Sequence, residues 1–334
     1  MTIQLSSSES GTSPSLSLSL PPSTYAKLLP LSFLAAHLPE TRPSGRSPSE
    51  FRQTTLHTGS LTHAHGSAVV RIGDTAVVCG VRGEILRASD TNIPDDFSGD
   101  DSERISTLGL LIPNVELSTG CNPAFLPGNA PGSTAQGLLQ RLITLLKVGS
   151  VVGFEELCIY EDRSELIASD DKMQDEPEKR EVRAYFTLYI DILFLSLSGS
   201  AFDTAWMALL AALKDTKLPT ARWDRDSEGA LCDPRPENYK KLRVQRFPVA
   251  LSWAVFSETK SKLNVVLVDA DDFEESCCDE GGLIVMDIDQ TTGQELLLRV
   301  EKYGGGVVAI AEMKTILSIA SKRWKEWDAL LKGR

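Results

Sequence analysis

Apolar and polar residues alternate over positions 50–86, the mark of half-buried strands. Ala68, Val70 and Ile72 point one way, Val69 and Arg71 the other. Gly73-Asp74 supplies a tight hairpin turn before Thr75 to Val81 resumes the alternation. Glycines 59, 66 and 80 fall where strands bend or backbones approach closely. A further strand is expected over Leu108–Leu117. A long one follows over Val182–Leu197, with Val182, Ala184, Phe186, Leu188, Ile190 and Ile192 on one side. The strand pattern restarts at Pro248–Phe256, Leu263–Val268, Gly282–Ile288 and Glu295–Val300.

Helical spacing separates these strands. Tyr25, Leu28, Leu29 and Phe33 predict a helix over Ser23–His37, closed by Pro39 and Pro43. Ser133-Thr-Ala-Gln136 reads as a capping box ahead of Leu138, Leu139, Leu142, Ile143 and Leu146, with Gly149 ending that helix. Ala201–Lys214 carries Trp206, Leu209, Leu210 and Leu213 and stops before Pro219. A glycine run at 304–306 leads into a last helix with Met313, Ile316, Leu317, Ala320, Trp324, Trp327 and Leu331 on one stripe. That stripe suits core packing, and its length also suits burial against a partner subunit. Ser89–Ser106 and 222–238 read as polar loops.

The order of elements implies an α+β protein of two consecutive β-then-α halves. Residues 1–22 form a Ser-rich tail expected to be disordered. The first half with its N-terminal helix spans 23–220, a connecting loop 221–246, and the second half with the C-terminal helix 247–334.

Charge narrows the functional classes. A net charge of −12 argues against indiscriminate nucleic-acid binding, so any RNA contact is a local patch. Arg235, Lys240, Lys241, Arg243 and Arg246 form one basic run, and Lys322, Arg323, Lys325, Lys332 and Arg334 another. Acid concentrates at Asp170–Glu181 and Asp269–Glu275. Such runs are ordinarily solvated faces. No run approaches the eighteen or so apolar residues that span a bilayer, and the start lacks the pattern of a signal peptide, so a soluble chain without membrane contact is expected.

Candidate small-site chemistry is sparse. The six cysteines are scattered without a CxxC pair, which fits reduced thiols in a nuclear or cytosolic protein. No histidine follows His65, so a later His serves no triad or zinc site. His63 and His65 would share a strand face as exposed residues, without a third metal ligand. There is no GxxxxGK[ST] nucleotide loop. No metal and no cofactor are expected.

Several strings do carry a family signature. RPSGR at 42–46, EFR at 50–52 and GSLTHAHGSAVVRIGDTAVVCGV at 59–81 resemble the start of RNase PH-fold proteins, a ribosomal protein S5 domain 2-like fold. FDTAWMALLAALKDTKLP at 202–219, FPVALSWAVF at 247–256 and VDADDFEESCCDEGGLIVMD at 268–287 are similar to the non-catalytic ring subunits of the RNA exosome. The resemblance runs from about Ser23 to Lys332. It departs at Ser44, where relatives have Asp, and at a charged insertion over 161–181.

The resemblance implies two β-then-α halves and assembly with other RNase PH-like subunits into a hetero-hexameric ring. RNA-binding cap subunits, RNA threaded through the pore and an associated 3′–5′ nuclease would complete the set of partners. It also implies residence in nucleus, nucleolus and cytoplasm, and a part in ribosomal RNA maturation and RNA decay. RNA contacts would fall on Arg42, Arg46, Lys240, Lys241, Arg243 and Arg246, which otherwise are solvated or salt-bridging residues.

Active members of the fold cut RNA from its 3′ end with inorganic phosphate. Bringing two anions together needs fixed cations or N–H donors. The family supplies arginines before the first long helix, a Gly-Ser-Arg turn and an Asp acid. Here Glu116–Gly137 contains no Arg or Lys, and the turn reads Ser198-Gly199-Ser200-Ala201. Asp269, Asp271 and Asp272 are the acids on offer. Two lost donors cost on the order of 10⁴-fold in rate, so no catalytic residue is expected. The alternatives are an active phosphate-dependent 3′–5′ exoribonuclease, and an RNA-binding module outside any ring.

Overall fold

The computed structural model describes residues 21–91, 99–126, 132–161, 181–258, 263–289, 292–305 and 307–332. Most of the Ser-rich tail, and the 161–181 insertion apart from Glu161 and Glu181, lie outside them. Two helices open the chain, α1 (Pro22–Leu28) and α2 (Pro30–His37), in place of the single helix expected over Ser23–His37. Pro30 is the cause. A residue before proline is driven from the helical region, and Leu29 stands at φ −136°, ψ 65°.

The alternating stretch becomes β1 (Thr54–Thr58), β2 (Gly66–Ile72) and β3 (Thr75–Arg87). Ala68, Val70 and Ile72 are fully buried, as the alternation requires, and Gly73 takes φ +57° in the turn. Next come α3 (Asp101–Leu108), β4 (Leu111–Leu117), α4 (Ser133–Gly149), β5 (Cys158–Tyr160), β6 (Val182–Ser196) and α5 (Ala201–Asp215). These strands make a six-stranded sheet in the order β1-β2-β3-β6-β4, with β5 also on β6 and only β4 parallel to its neighbour.

Three expectations are corrected here. Ser89–Ser106 is not all loop, because α3 starts inside it, capped by the Asp100 carboxylate. Ser133 is the first helical residue rather than the cap, since Gly132 takes the cap position without a side-chain bond. Gly149 belongs to α4, and Ser150 in the left-handed region ends it.

The segment beyond α5 holds β7 (Lys217–Leu218), β8 (Ala221–Asp224), β9 (Gly229–Cys232) and β10 (Lys240–Lys241). It is therefore more than a connecting loop: β8 and β9 form a hairpin, and β7 pairs with β10. The second sheet follows, from β11 (Val249–Glu258), β12 (Leu263–Val268), β13 (Glu280–Ile288) and β14 (Glu295–Tyr303), in the order β12-β11-β13-β14. Helix α6 (Asp272–Ser276) lies between β12 and β13, and α7 (Ile310–Leu331) closes the chain.

Helix α5 sits between the halves. Every residue from Phe202 to Leu213 is buried, a pattern found where a helix is covered all round. It packs on β2 and β3 of the first sheet and on β11 of the second. The Trp206 indole N–H donates to Pro248 O at 2.7 Å. The α7 stripe goes to the protein's own core: Ile316, Ala320, Trp324, Trp327 and Leu331 are buried, and α7 packs on β11 and β13. Arg323 is buried with them over the rings of Phe51 and Trp327, so it leaves the solvated basic run, and Arg334 lies outside the described residues.

Candidate functional site

The turn from β6 into α5, Ser198-Gly199-Ser200, is fixed from both sides. The Thr75 hydroxyl accepts the Ser198 N–H at 3.0 Å and donates to Gly199 O at 2.8 Å. Gly199 has φ +74°, and a Cβ there would lie 2.3 Å from Ala270 O. Ser200 holds φ +48° and donates its backbone N–H to Glu275 Oε1 at 2.8 Å. Glu275 as a residue is solvent-exposed, yet its carboxyl end lies among protein atoms, which pushes its pKa up to about 7.

The loop after β4 lies alongside. Ser118 donates to Phe194 O at 2.7 Å, Asn122 Nδ2 to Leu197 O at 3.3 Å, and the Leu197 N–H to Cys121 O at 2.9 Å. The cation-free stretch 116–137 therefore borders the turn, although residues 127–131 lie outside the described ones.

Three arginines of the opening motifs converge on the segment from Asp269 to Glu275. Arg42 donates to Val268 O at 2.7 Å, to Asp269 O at 3.4 Å, to Glu274 Oε2 at 3.2 Å and to Pro48 O. Neither Arg42 nor Glu274 exposes its side chain. Arg46, 13% exposed, meets Glu274 at 3.5 Å and Asp269 at 3.8 Å. Arg52 grips Asp269 through its backbone N–H at 2.7 Å and its guanidinium at 2.6 Å, and also reaches Ser198 O at 2.5 Å. Burial alone would raise the Asp269 pKa, but the Arg52 hydrogen bonds and charge prevail and hold it below the usual carboxylate range.

The expected RNA contacts are thus divided. Arg42 is withdrawn into the interior and Arg46 is engaged by carboxylates, because both join the opening segment to residues 268–274 of the second half. Lys240, Lys241 and Arg243 are exposed. Arg246 is half-buried near Asp287. Of the acids, Asp269 is pinned, Asp271 caps α6 by accepting the Glu274 N–H at 2.8 Å, and Asp272 is exposed. His63 and His65 lie in a turn, not a strand, and His65 Nδ1 accepts the Gly83 N–H at 3.0 Å. Among the described residues no His, Cys, Asp and Glu group is arranged to hold a metal, and no helix is long and apolar enough to cross a membrane.

Sequence reasoning did not single out Thr75, Glu275 or Asp203. Asp203, buried under the turn, accepts the Ser252 N–H at 2.8 Å and the Ser252 hydroxyl at 2.7 Å, and burial pushes its pKa up to about 6. Arg52 was visible only as the last letter of EFR.

The model of the 3′ exoribonuclease family, RNase PH domain 1, matches residues 50–219. The exosome complex component rrp43 of Schizosaccharomyces pombe is 31% identical over 308 residues, covering 92% of this chain and 97% of the relative. The exosome complex component Rrp42 of Thermococcus gammatolerans is 26% identical over 290 residues, covering 87% and 89%. Among solved structures, a chain of the Archaeoglobus fulgidus exosome with RNA bound to the active site aligns with a TM-score of 0.63 at 23% identity, covering 89% of this chain and 95% of that one. A chain of an archaeal exosome core gives 0.61 at 21%, covering 92% and 100%. These structural likenesses speak for the α+β RNase PH-like fold.

Proposed function

The chain belongs to the RNase PH family of 3′ exoribonucleases, and we propose that within it this member is a non-catalytic structural subunit of the RNA exosome core ring. It stands in the ring beside other RNase PH-like subunits, under RNA-binding caps, and supports 3′–5′ processing and decay of RNA, ribosomal RNA included. The RNA passes through the pore to an associated nuclease. Nucleus, nucleolus and cytoplasm are the compartments this role implies.

The observation that carries the non-catalytic reading is the Glu275 carboxylate on the Ser200 N–H. A helix start of this kind is where an anionic ligand is stabilised. Here the protein fills the position with its own carboxyl group, about half ionised near neutral pH, which a phosphate would have to displace. Three further features agree. No Lys or Arg occurs over 116–137, Ala201 follows Gly199-Ser200 where active relatives have arginine, and Asp269 is an ionised partner of Arg52 rather than a proton donor.

The ring role is supported by unpartnered surface on the second half. Strand β14 is an edge with Leu297, Val300 and Tyr303 about half exposed, and Val307 and Ile310 lie bare beyond it. Edges of this kind are normally covered.

The test has two arms. The purified chain is incubated with RNA and inorganic phosphate, and release of nucleoside diphosphates is measured at high protein concentration; none is expected, and release would establish an active phosphorolytic enzyme. Co-expression with RNase PH-like ring partners is followed by size-exclusion chromatography with mass measurement. A stable mixed ring is expected, and a chain that stays monomeric beside them would remove the structural role.

A further inference from the structure

Lys217 and Lys241 are direct cross-strand partners in the β7–β10 ladder. Like charges placed opposite each other weaken a sheet, so the pair needs an external reason. Leu242, the next residue, is buried, and its N–H bonds Thr216 O at 2.9 Å. Alternation therefore turns Lys241 and Arg243 outward together, on the side of Lys217. Lys240, opposite Leu218, is exposed at the end of the ladder but alternates to the other side.

All four are exposed, and among the described residues none has a carboxylate in salt-bridge range. Neighbouring cations differ: Arg235 pairs with Asp233 at 2.8 Å and Lys332 with Asp328 at 2.7 Å. Positive potential also accumulates behind the stripe. Lys214 is held below its usual pKa by burial and then by the charges of Lys241 and Lys332, with Asp328 opposing. On a chain of net charge −12, this concentration is local rather than a general surface property.

The surroundings decide what such a stripe fits. No large apolar side chain is exposed over 214–218 or 239–247. Protein interfaces have apolar centres depleted in lysine, so a protein neighbour finds no anchor there. A phosphodiester backbone needs only spaced cations.

We propose that Lys217, Lys241 and Arg243 hold the phosphate backbone of single-stranded RNA without reading its bases. This rests on the ring-subunit reading, which makes RNA the polyanion at hand, and it moves the contact away from Arg42, Arg46 and Arg246.

The test uses the ring assembled with the full chain, a fluorescent oligo-uridine, and anisotropy titrations between about 50 and 200 mM salt. Lys217→Ala, Lys241→Ala and Arg243→Ala are combined. Loss of three phosphate contacts is expected to weaken binding at least about tenfold and to lower the slope of log affinity against log salt by about 2. A Lys314→Ala, Lys325→Ala control, altering exposed cations of α7, is expected to leave both unchanged, and oligo-adenosine is expected to behave like oligo-uridine. An assembled triple variant with unaltered affinity and slope would overturn the proposal. So would a folded triple variant that no longer enters the ring, since the stripe would then belong to a protein neighbour. Should the wild-type chain not assemble at all, the ring reading fails separately, and the same titrations on the free chain still decide the stripe.

Discussion

Arg42 and Glu274, 232 residues apart along the chain, close an ion pair at 3.2 Å with neither side chain reaching water. The pair ties the segment before β1 to helix α6 in the other half. Removing Arg42 leaves the buried Glu274 carboxylate with Arg46 at 3.5 Å and the Asp271 N–H as its remaining partners. Arg42→Met is therefore expected to cost about 3 kcal/mol, the low end for a broken buried pair. Glu274→Met added to it is expected to recover only part, because Pro48, Val268 and Asp269 carbonyls still lose their donor. Urea unfolding midpoints of the two variants check this. Equal stability of the single variant and wild type would refute it.

Asp203 predicts a pH dependence. Its folded pKa of about 6 stands above the unfolded value, so the folded state holds an extra proton between the two. The stabilisation is full below about pH 4 and disappears as pH rises through 6, by up to about 3 kcal/mol. Asp203→Asn is expected to flatten that part of the stability profile. Its amide still accepts the Ser252 N–H and donates to the hydroxyl, so the variant should match or exceed wild type at pH 7. Thermal melts from pH 4 to 7 provide the comparison.

Removing the Glu275 carboxylate separates structure from chemistry. Glu275→Ala leaves the Ser200 N–H unpaired and is expected to cost about 1 kcal/mol, the usual loss for a helix-start partner. No phosphorolysis is expected to appear, because the change supplies no cation over 116–137 or at Ala201. Melting temperature and nucleoside diphosphate release are the two readouts. Gain of release by this single change would show that the carboxylate alone had silenced the turn.

Gly199→Ala tests the contact between turn and second half. The new Cβ would lie 2.3 Å from Ala270 O at a φ of +74°. Overpacking and left-handed strain together predict a loss of about 2–5 kcal/mol. Gly120→Ala, with nothing within 4 Å of its Cβ, is expected to be silent. Chemical denaturation of both variants distinguishes a specific effect from a general one.

What could be read in advance depended on repetition. The period-two burial of β2 and β6 and the apolar content of α5 are carried by many residues each, so their identity survives any single exception. Helix α3 escaped because DSERISTL has few apolar positions and depends on its ends, the Asp100 cap and Gly109 at φ +64°. The β8–β9 hairpin has only four residues in each strand, too few for an alternating pattern to stand out. Leu29 fits a helical stripe by position, but Pro30 overrides the stripe. Arg42 reads as a surface cation because burial of its guanidinium is set mainly by Glu274 and the Val268 and Asp269 carbonyls, all distant in sequence, with Pro48 O nearby. For the same reason Glu275 was visible only as one acid among several. Ala201 after Gly199-Ser200 needed no tertiary knowledge, since the absence of a charged side chain there is written in the chain itself.

Helix α5 shares its buried surface with both sheets, and a single apolar cluster runs from Val70 and Cys79 through Trp206 to Val249, Val285 and Trp327. Among the described residues the two halves therefore share an apolar cluster, so that neither can melt without baring part of the other. Heating should register as one cooperative event, and a cut near residue 246 should release two fragments that are each sticky and incomplete. Damage anywhere in that shared spine would be felt at both ends of the molecule at once.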